Sequence, residues 1–388
     1  MKLEKLFLEK TGNAPVFLAR APGRVNLLGE HVDYNDGIVL PVALEQEVKL
    51  VAAPAREGIV NLYALDLQEQ VSLRLVDLDI KVDIDGKPLP EWAYYPAGTA
   101  WSLWRAGLHI SGLSVVYTSS VPIGAGLSSS AAVEMGFAVL WQAAGGWKLD
   151  RLELARLCQK AENEYVGVAC GLMDQFASAC GVAGHALFFD TRSLRWQPEP
   201  LPEGYAIVIA DSGVRRRLSG SEYNERRASC VEAVDILKEH GLKITALRDV
   251  SPVEFAAYSN ILPPMVRKRA EHVVKEIARV ETAISALRRS DARAFGALMF
   301  SGHASLRDLY AVSTPELDAL VEIARQLPGC QGARLTGAGF GGCTVNLVKE
   351  SDLEGFITEL PRRYLKQTGR QAKVYRTEAA PGASAILL

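Results

Sequence analysis

From Pro15 to Val76 the apolar residues come in short runs rich in β-branched side chains, VFLAR, VNLL, IVLPVAL, EVKLVAA, IVNLYAL and VSLRLV, each cut off by Gly, Asn, Asp or Pro. Short runs bounded by turn formers predict strands, so this stretch is expected to be mainly sheet. The period then lengthens. Residues 91–106 and 129–144 carry helical patterns with the strand LSVVYTS between them, and a further helix opens at Asp150, where Asp150-x-x-Glu153 has the spacing of a capping box. Strand character returns in HALFFD and YAIVIAD on either side of the Pro-rich WQPEPLPEG, the best candidate for a domain junction. Beyond it helical patterns dominate from about 221 to 327, and the end reads strand, glycine loop, strand, helix, strand, an order that suits a split β-α-β unit. The expected fold class is therefore α+β, in two domains spanning 1–195 and 196–388. No internal repeat interrupts the pattern.

Two segments bear on location. Leu3, Leu6 and Phe7 lie at helical spacing among lysines and glutamates, which describes a short amphipathic helix rather than a signal sequence. The longest apolar stretch, Ala131 to Ala144, is broken by Glu134 and Gln142 and falls short of the ~20 residues a bilayer requires. A cytoplasmic protein without membrane partners is expected. The chain of 388 residues is 48% hydrophobic and 23% charged, an ordinary globular composition, and its formal net charge of -2 offers no field for nucleic acid. Its six cysteines form no C-x-x-C pair and have no histidines at zinc-ligand spacing, so they read as reduced core residues.

Three motifs carry chemistry. In VPIGAGLSSSAA, residues 121–132, glycines follow a strand and open a long apolar helix. Glycines let a backbone close on a ligand, and the free N–H groups and dipole at a helix start favour an anion, so a polyphosphate fits. The three serines add hydroxyl donors, one of which could ligate the magnesium that accompanies a nucleotide. The bland reading is a turn with a Ser N-cap. There is no G-x-x-x-x-G-K-[ST], so positive charge must come from elsewhere.

The second motif, APGRVNLLGEHVDYNDG at 21–37, puts Arg24, Glu30, His31 and Asp33 within ten residues. A polyhydroxylated ligand needs such a mixture of donors and acceptors. Read alone, the same cluster also suits a solvated turn or a metal. The third, Gly337-Ala338-Gly339-Phe340-Gly341-Gly342, satisfies G-x-G-x-x-G but precedes a β-run instead of opening a helix, and the position where a ribose-binding acid would stand falls near Pro361, Arg362 and Arg363. Dinucleotide binding is excluded, and the loop is expected to approach a ligand or another backbone. Glu162 and Asp174 further interrupt an otherwise apolar pattern, where either alone reads as a surface carboxylate.

Together these segments resemble the GHMP kinases and, within them, the galactokinases. GRVNLLGEHVDYNDGIVLP looks like the galactokinase signature, VPIGAGLSSSAA like the family's phosphate loop, GLMDQFA like the segment with the catalytic aspartate, SEYNERR like a sugar-contact segment, and LTGAGFGGCTV like the C-terminal glycine motif. The resemblance implies an N-terminal domain of the ribosomal S5 domain 2 type, a ferredoxin-like C-terminal domain and an active site between them. It implies ATP-dependent phosphorylation of α-D-galactose at its C1 hydroxyl with Mg2+. A monomer is expected, with an oligomer as the open alternative.

By the same resemblance Asp174 is the carboxylate beside the C1 hydroxyl, and Arg24 the cation that stabilises the transition state. Glu30, His31, Asp33, Gly171 and Tyr223 bind galactose. Gly124, Ala125, Gly126, Leu127, Ser128, Ser129 and Ser130 cradle the phosphates, and Ser130 with Glu162 holds magnesium. Val32 stands where these enzymes commonly have threonine and Leu28 where they have isoleucine; Asp36 is an extra acid without an assigned role. The nearest alternatives are sister kinases for N-acetylgalactosamine, arabinose or galacturonate, and a non-catalytic galactose sensor.

Overall fold

The computed structural model describes residues 3–215 and 220–388. Three sheets organise them. The largest has six strands, β1 (Phe17–Asn26), β3 (Pro41–Pro54), β4 (Ile59–Ala64), β5 (Glu69–Arg74), β6 (Leu113–Ser119) and β13 (Ser384–Leu387), in the order β13-β1-β3-β6-β4-β5. Only the β4/β6 pair in it is parallel. A small sheet joins β2 (Ile38–Val39), β7 (His185–Asp190) and β8 (Trp196–Pro200). The Pro-rich stretch is thus strand in its first part, contrary to a plain linker. β8 is an edge strand, where a proline removes no ladder bond that the sheet needs.

The third sheet holds β9 (Tyr205–Asp211), β10 (Cys330–Leu335), β11 (Cys343–Lys349) and β12 (Lys373–Thr377) in the order β10-β11-β9-β12, all antiparallel. Its first and third strands in sequence lie side by side at the centre, which is the ferredoxin-like arrangement. The last strand, β13, leaves that unit and pairs with β1 of the first sheet.

Helices α1 (Leu3–Thr11), α2 (Tyr94–Arg105), α3 (Ser129–Gly145), α4 (Arg151–Lys160) and α5 (Met173–Cys180) belong to the N-terminal part. α3 lies against β1 and β3 and buries Met135, Phe137, Leu140 and Trp141. Each such side chain contributes about 1.5–3 kcal/mol, so the start of α3 is held firmly on the sheet. Asp150 caps α4 by accepting the Leu152 N–H at 2.9 Å, but Glu153 turns to Arg156 instead of closing the box. Helices α6 (Gly220–Glu239), α7 (Pro252–Tyr258), α8 (Pro264–Arg288) and α9 (Ala292–Ser305) follow β9, and α10 (Pro315–Gln326) and α11 (Leu353–Thr368) cover the ferredoxin-like sheet over a separate apolar core. No helix among the described residues is long and apolar enough to cross a membrane, and all six cysteines are free thiols.

Candidate active site

The loop before α3 follows its glycines. Gly124 and Gly126 have φ of +70° and +81°, and Ser128 at the helix start is also left-handed at +58°. The loop rests on β1, because a Cβ on Gly23 would meet the Leu127 carbonyl at 2.6 Å, and the Arg24 N–H donates to that carbonyl at 3.0 Å. From the other side the C-terminal glycine loop closes in: a Cβ on Gly342 would lie 2.5 Å from the Ala125 carbonyl. The partner expected for that loop is therefore another backbone. Gly124, Ser128, Ser129 and Ser130 are partly exposed, whereas Ala125, Gly126 and Leu127 are buried. Leu127 has its side chain in the core, so it can serve a ligand only through its backbone.

At the foot of this loop stands Asp174, in the first turn of α5. Arg24, buried on β1, donates from Nε to Asp174 Oδ1 at 2.8 Å and brings Nη2 to 2.6 Å from the same oxygen. Its Nη1 donates to the Gly126 carbonyl at 2.7 Å. Ser128 Oγ donates to Asp174 Oδ2 at 2.5 Å. One arginine thus ties the carboxylate to the glycine loop. Hydrogen bonds to ionised partners are the stronger kind, so the arrangement is preorganised.

Beside it Glu162 is buried, and lost hydration together with the Asp174 charge pushes its carboxyl up to about 7. Ser130 hydrogen bonds to it. Gln175 donates from Nε2 to Glu162 Oε2 at 2.6 Å and to Glu134 Oε2 at 2.9 Å, and Glu134, wholly buried, is raised as well by burial and by Glu162. Buried on either side of Gln175, the Glu134 and Glu162 carboxyls disfavour each other's ionisation, and a cation relieves that. The hard oxygens of Ser130 and Glu162 suit magnesium. Among the described residues no group of three or more His, Cys, Asp or Glu gathers to cage a metal, but magnesium commonly takes one or two protein ligands and fills its shell with phosphate oxygens and water.

Of the expected sugar residues, Asp33 and Tyr223 feel the charge of Asp174 directly. Gly171 abuts Asp33 so closely that a Cβ would sit 1.9 Å from Asp33 Oδ2. Burial and the neighbouring Asp174 raise the Asp33 carboxyl to about 6. His31, with φ of +63°, has its ring centroid 5.6 Å from that of Tyr223 on α6, and Tyr223 lies 5.4 Å from Tyr34. His31 Nε2 is 3.1 Å from the Ala338 carbonyl, which can only accept, so Nε2 carries the proton and Nδ1 accepts from Tyr34 OH at 2.8 Å. Tyr34 then accepts from Tyr310 OH at 2.8 Å. Glu30 lies deeper, 1% exposed and paired with the fully buried Arg334, whose charge opposes the upward push of burial on its carboxyl.

Every site residue expected from sequence therefore falls in one neighbourhood, with Glu30 at its back. The sequence reading missed Glu134, Gln175, Tyr34, Tyr310 and Arg334. Gln175 and Tyr34 stand inside quoted motifs, so their place beside Asp174 and Asp33 was the available signal; Tyr310 and Arg334 had none. Val32 is fully buried with its side chain against Gly37, where an apolar group fills the turn. Asp36 accepts from Arg192 Nε at 3.1 Å while its carbonyl accepts from Arg248 at 2.7 Å, which ties the signature loop to the region around 248.

Comparison with known proteins agrees with this geometry. Residues 5–54 match a family described as the galactokinase galactose-binding signature, 95–182 the GHMP kinase N-terminal domain and 283–367 the GHMP kinase C-terminal domain. A galactokinase of Roseiflexus sp. is 44% identical over 100% of this chain and 97% of its own, and the Homo sapiens galactokinase 41% identical over 99% and 96%. The crystal structure of Lactococcus lactis galactokinase complexed with galactose superposes with a TM-score of 0.93 at 34% identity, covering 98% of each chain. A Methanococcus jannaschii mevalonate kinase, 19% identical, shares the fold with a TM-score of 0.66 over 94% of this chain and 98% of its own. Full-length identity of this order, on a chain that carries the signature, the glycine loop and the paired Arg24 and Asp174, places the protein in the galactokinase family of GHMP kinases.

Proposed function

We propose that the protein transfers the γ-phosphoryl group of ATP to the C1 hydroxyl of α-D-galactose, giving galactose 1-phosphate and ADP. The observation that carries this reading is Asp174, held between Arg24 and Ser128 where the glycine loop meets the residues expected at the sugar. Galactokinases 41–44% identical over nearly the full chain support galactose as the acceptor.

Phosphoryl transfer is loose and largely dissociative, so the protein acts mainly by aligning the nucleophile and balancing charge. The loop 124–130 and the start of α3 receive the phosphates. Asp174 accepts or polarises the C1 hydroxyl proton as that oxygen bonds to the γ-phosphorus and the bond to ADP breaks. Arg24, already on Asp174 Oδ1, orients that carboxylate and stabilises charge on the transferring group. Magnesium bound with ATP would neutralise phosphate oxygens, with Ser130 and Glu162 as its protein ligands. Asp33, Gly171, His31, Tyr223 and Glu30 orient the sugar. The proposal places the protein in the cytoplasm as a monomer.

A panel of sugars in a coupled ADP-release assay tests the proposal. Galactose should be the preferred acceptor. Comparable kcat/KM for glucose, or a preference for N-acetylgalactosamine, arabinose or galacturonate, overturns the substrate; galactose binding without ADP release leaves a sensor.

A further inference from the structure

We propose that Arg334 is a positioning residue for sugar recognition, acting from the C-terminal part through the Glu30 carboxylate. The inference rests on Glu30 being a galactose contact. Arg334 ends no surface ion pair: it is 0% exposed on β10, and its guanidinium reaches four groups, Nε donating to the Leu335 carbonyl at 3.4 Å. Nη2 pairs with the Glu30 carboxylate, while Nη1 lies 2.9 Å from Glu276 Oε1 and 3.3 Å from the Leu27 carbonyl.

Around this fork the backbone of the signature loop is gripped from α8. Glu276 Oε1 accepts the Gly29 N–H at 2.8 Å, and its other oxygen pairs with Arg279. One turn earlier His272 Nε2 lies 3.2 Å from the Glu30 carbonyl, so that nitrogen donates and Nδ1 accepts from Ser305 at 2.8 Å. The Gly337 N–H approaches Glu30 Oε1 at 3.4 Å. The direct contacts of the Glu30 side chain thus come from β10 and the glycine loop, and α8 holds the backbone beside it, although Glu30 itself belongs to the N-terminal part, where Arg24 acts on it by charge alone.

Two arginines and two carboxylates buried together are poor value as stabilisers, because desolvation offsets most of their attraction. What a guanidinium supplies is direction: its planar fork holds a carboxylate in one orientation, which a single ammonium cannot do for two partners. α9 makes room for it. A Cβ on Gly302 would lie 2.8 Å from Arg334 Nη1, so the helix carries glycine where the fork passes. With Arg334 set, the Glu30 oxygens are fixed before sugar arrives.

The test measures galactose affinity by titration calorimetry on the full chain without nucleotide, alongside ATP-analogue affinity and melting temperature, for three variants. Glu30→Gln reports on the underlying reading. Arg334→Lys keeps the charge and loses the fork; Gly302→Ala keeps every charge, suits a helix, and displaces the fork. Both are expected to weaken galactose binding roughly tenfold, the scale of one buried hydrogen bond misplaced, with ATP-analogue affinity unchanged and the preference for galactose over glucose narrowed. Weak binding by Glu30→Gln with parental binding by the other two overturns the role of Arg334 alone. Parental binding by Glu30→Gln overturns Glu30 as a contact, and the proposal with it. Equal losses of sugar and nucleotide affinity mark a merely structural arginine and also overturn it. Should Arg334→Lys fail to fold, Gly302→Ala decides.

Discussion

Both oxygens of Asp174 are already engaged, Oδ1 by Arg24 and Oδ2 by Ser128. Asn at this position keeps the shape, removes the charge and points an amide donor at one of two donors. Turnover should fall at least ~100-fold, the usual size of a lost general base, while galactose and ATP still bind. Near-normal turnover of Asp174→Asn would remove this carboxylate from the mechanism. Selectivity is argued at the same scale. Galactose and glucose differ only in the direction of the C4 hydroxyl, and the proposed assignment puts Asp33 and Tyr223 on that side. An epimer leaves a hydroxyl and its buried partner both unpaired at about 1–3 kcal/mol each, which predicts discrimination of roughly 30-fold to several thousand-fold. Asp33→Ala should lose most galactose activity and Tyr223→Phe should narrow the preference without abolishing turnover; steady-state kinetics on both sugars measures this, and unchanged ratios would move the C4 contact elsewhere.

Elements decide where these side chains can stand. The turn entering α5 brings Gly171 against Asp33, leaving no space for a methyl group at 1.9 Å from Oδ2. Gly171→Ala must push Asp33 aside, so KM for galactose should rise about tenfold or more with KM for ATP little changed, the scale of a misplaced buried contact. A parallel rise in both constants would mean that the turn as a whole had shifted. The loop entering α3 makes the complementary case. Gly126 has φ of +81°, which a branched side chain adopts only under strain, and it lies in the proposed phosphate path. Gly126→Val should weaken ATP and spare galactose, and Ser130→Ala should raise the magnesium concentration needed for half-maximal activity. Parental ATP affinity in the valine variant would displace the nucleotide from this loop.

Over the whole molecule the site is a collection of buried acids, and this has a thermodynamic consequence. Glu162 is raised from 4.5 to about 7 and Asp33 from 3.8 to about 6, chiefly by burial. The folded chain therefore holds protons that the unfolded chain releases, and stability falls as pH rises through this range. His272 acts in the opposite sense: burial lowers it from 6.5 to about 4, so the unfolded chain takes up its proton and stability is lost as pH falls below 6.5. Above 6.5 only the carboxyls contribute. The melting temperature of the ligand-free protein should fall between pH 6.5 and about 8, and magnesium, with Glu162 as its proposed ligand, should oppose that fall by favouring the charged carboxylate. A flat or rising melting temperature across this window would show that these acids stay ionised in the fold.

Local pattern was enough for much of this protein. Runs of β-branched residues marked the first sheet, the 3.6 period marked α3, and the glycines of 124–126 and 337–342 marked loops that need left-handed backbone, because each of these depends on neighbours in the chain. The residues proposed for catalysis were legible for the same reason: they sit in compact motifs. Tertiary structure alone decided that β13 returns to β1, that Trp196–Pro200 pairs as an edge strand, and that the glycine loop closes on Ala125. It alone placed Arg334, Glu276 and His272 behind the signature loop and Gln175 between two acids. An arginine in a strand looks the same in sequence whether it faces water or a buried carboxylate. Which of these it meets is set by how the two sheets and α8 pack, and that packing joins residues the chain holds far apart.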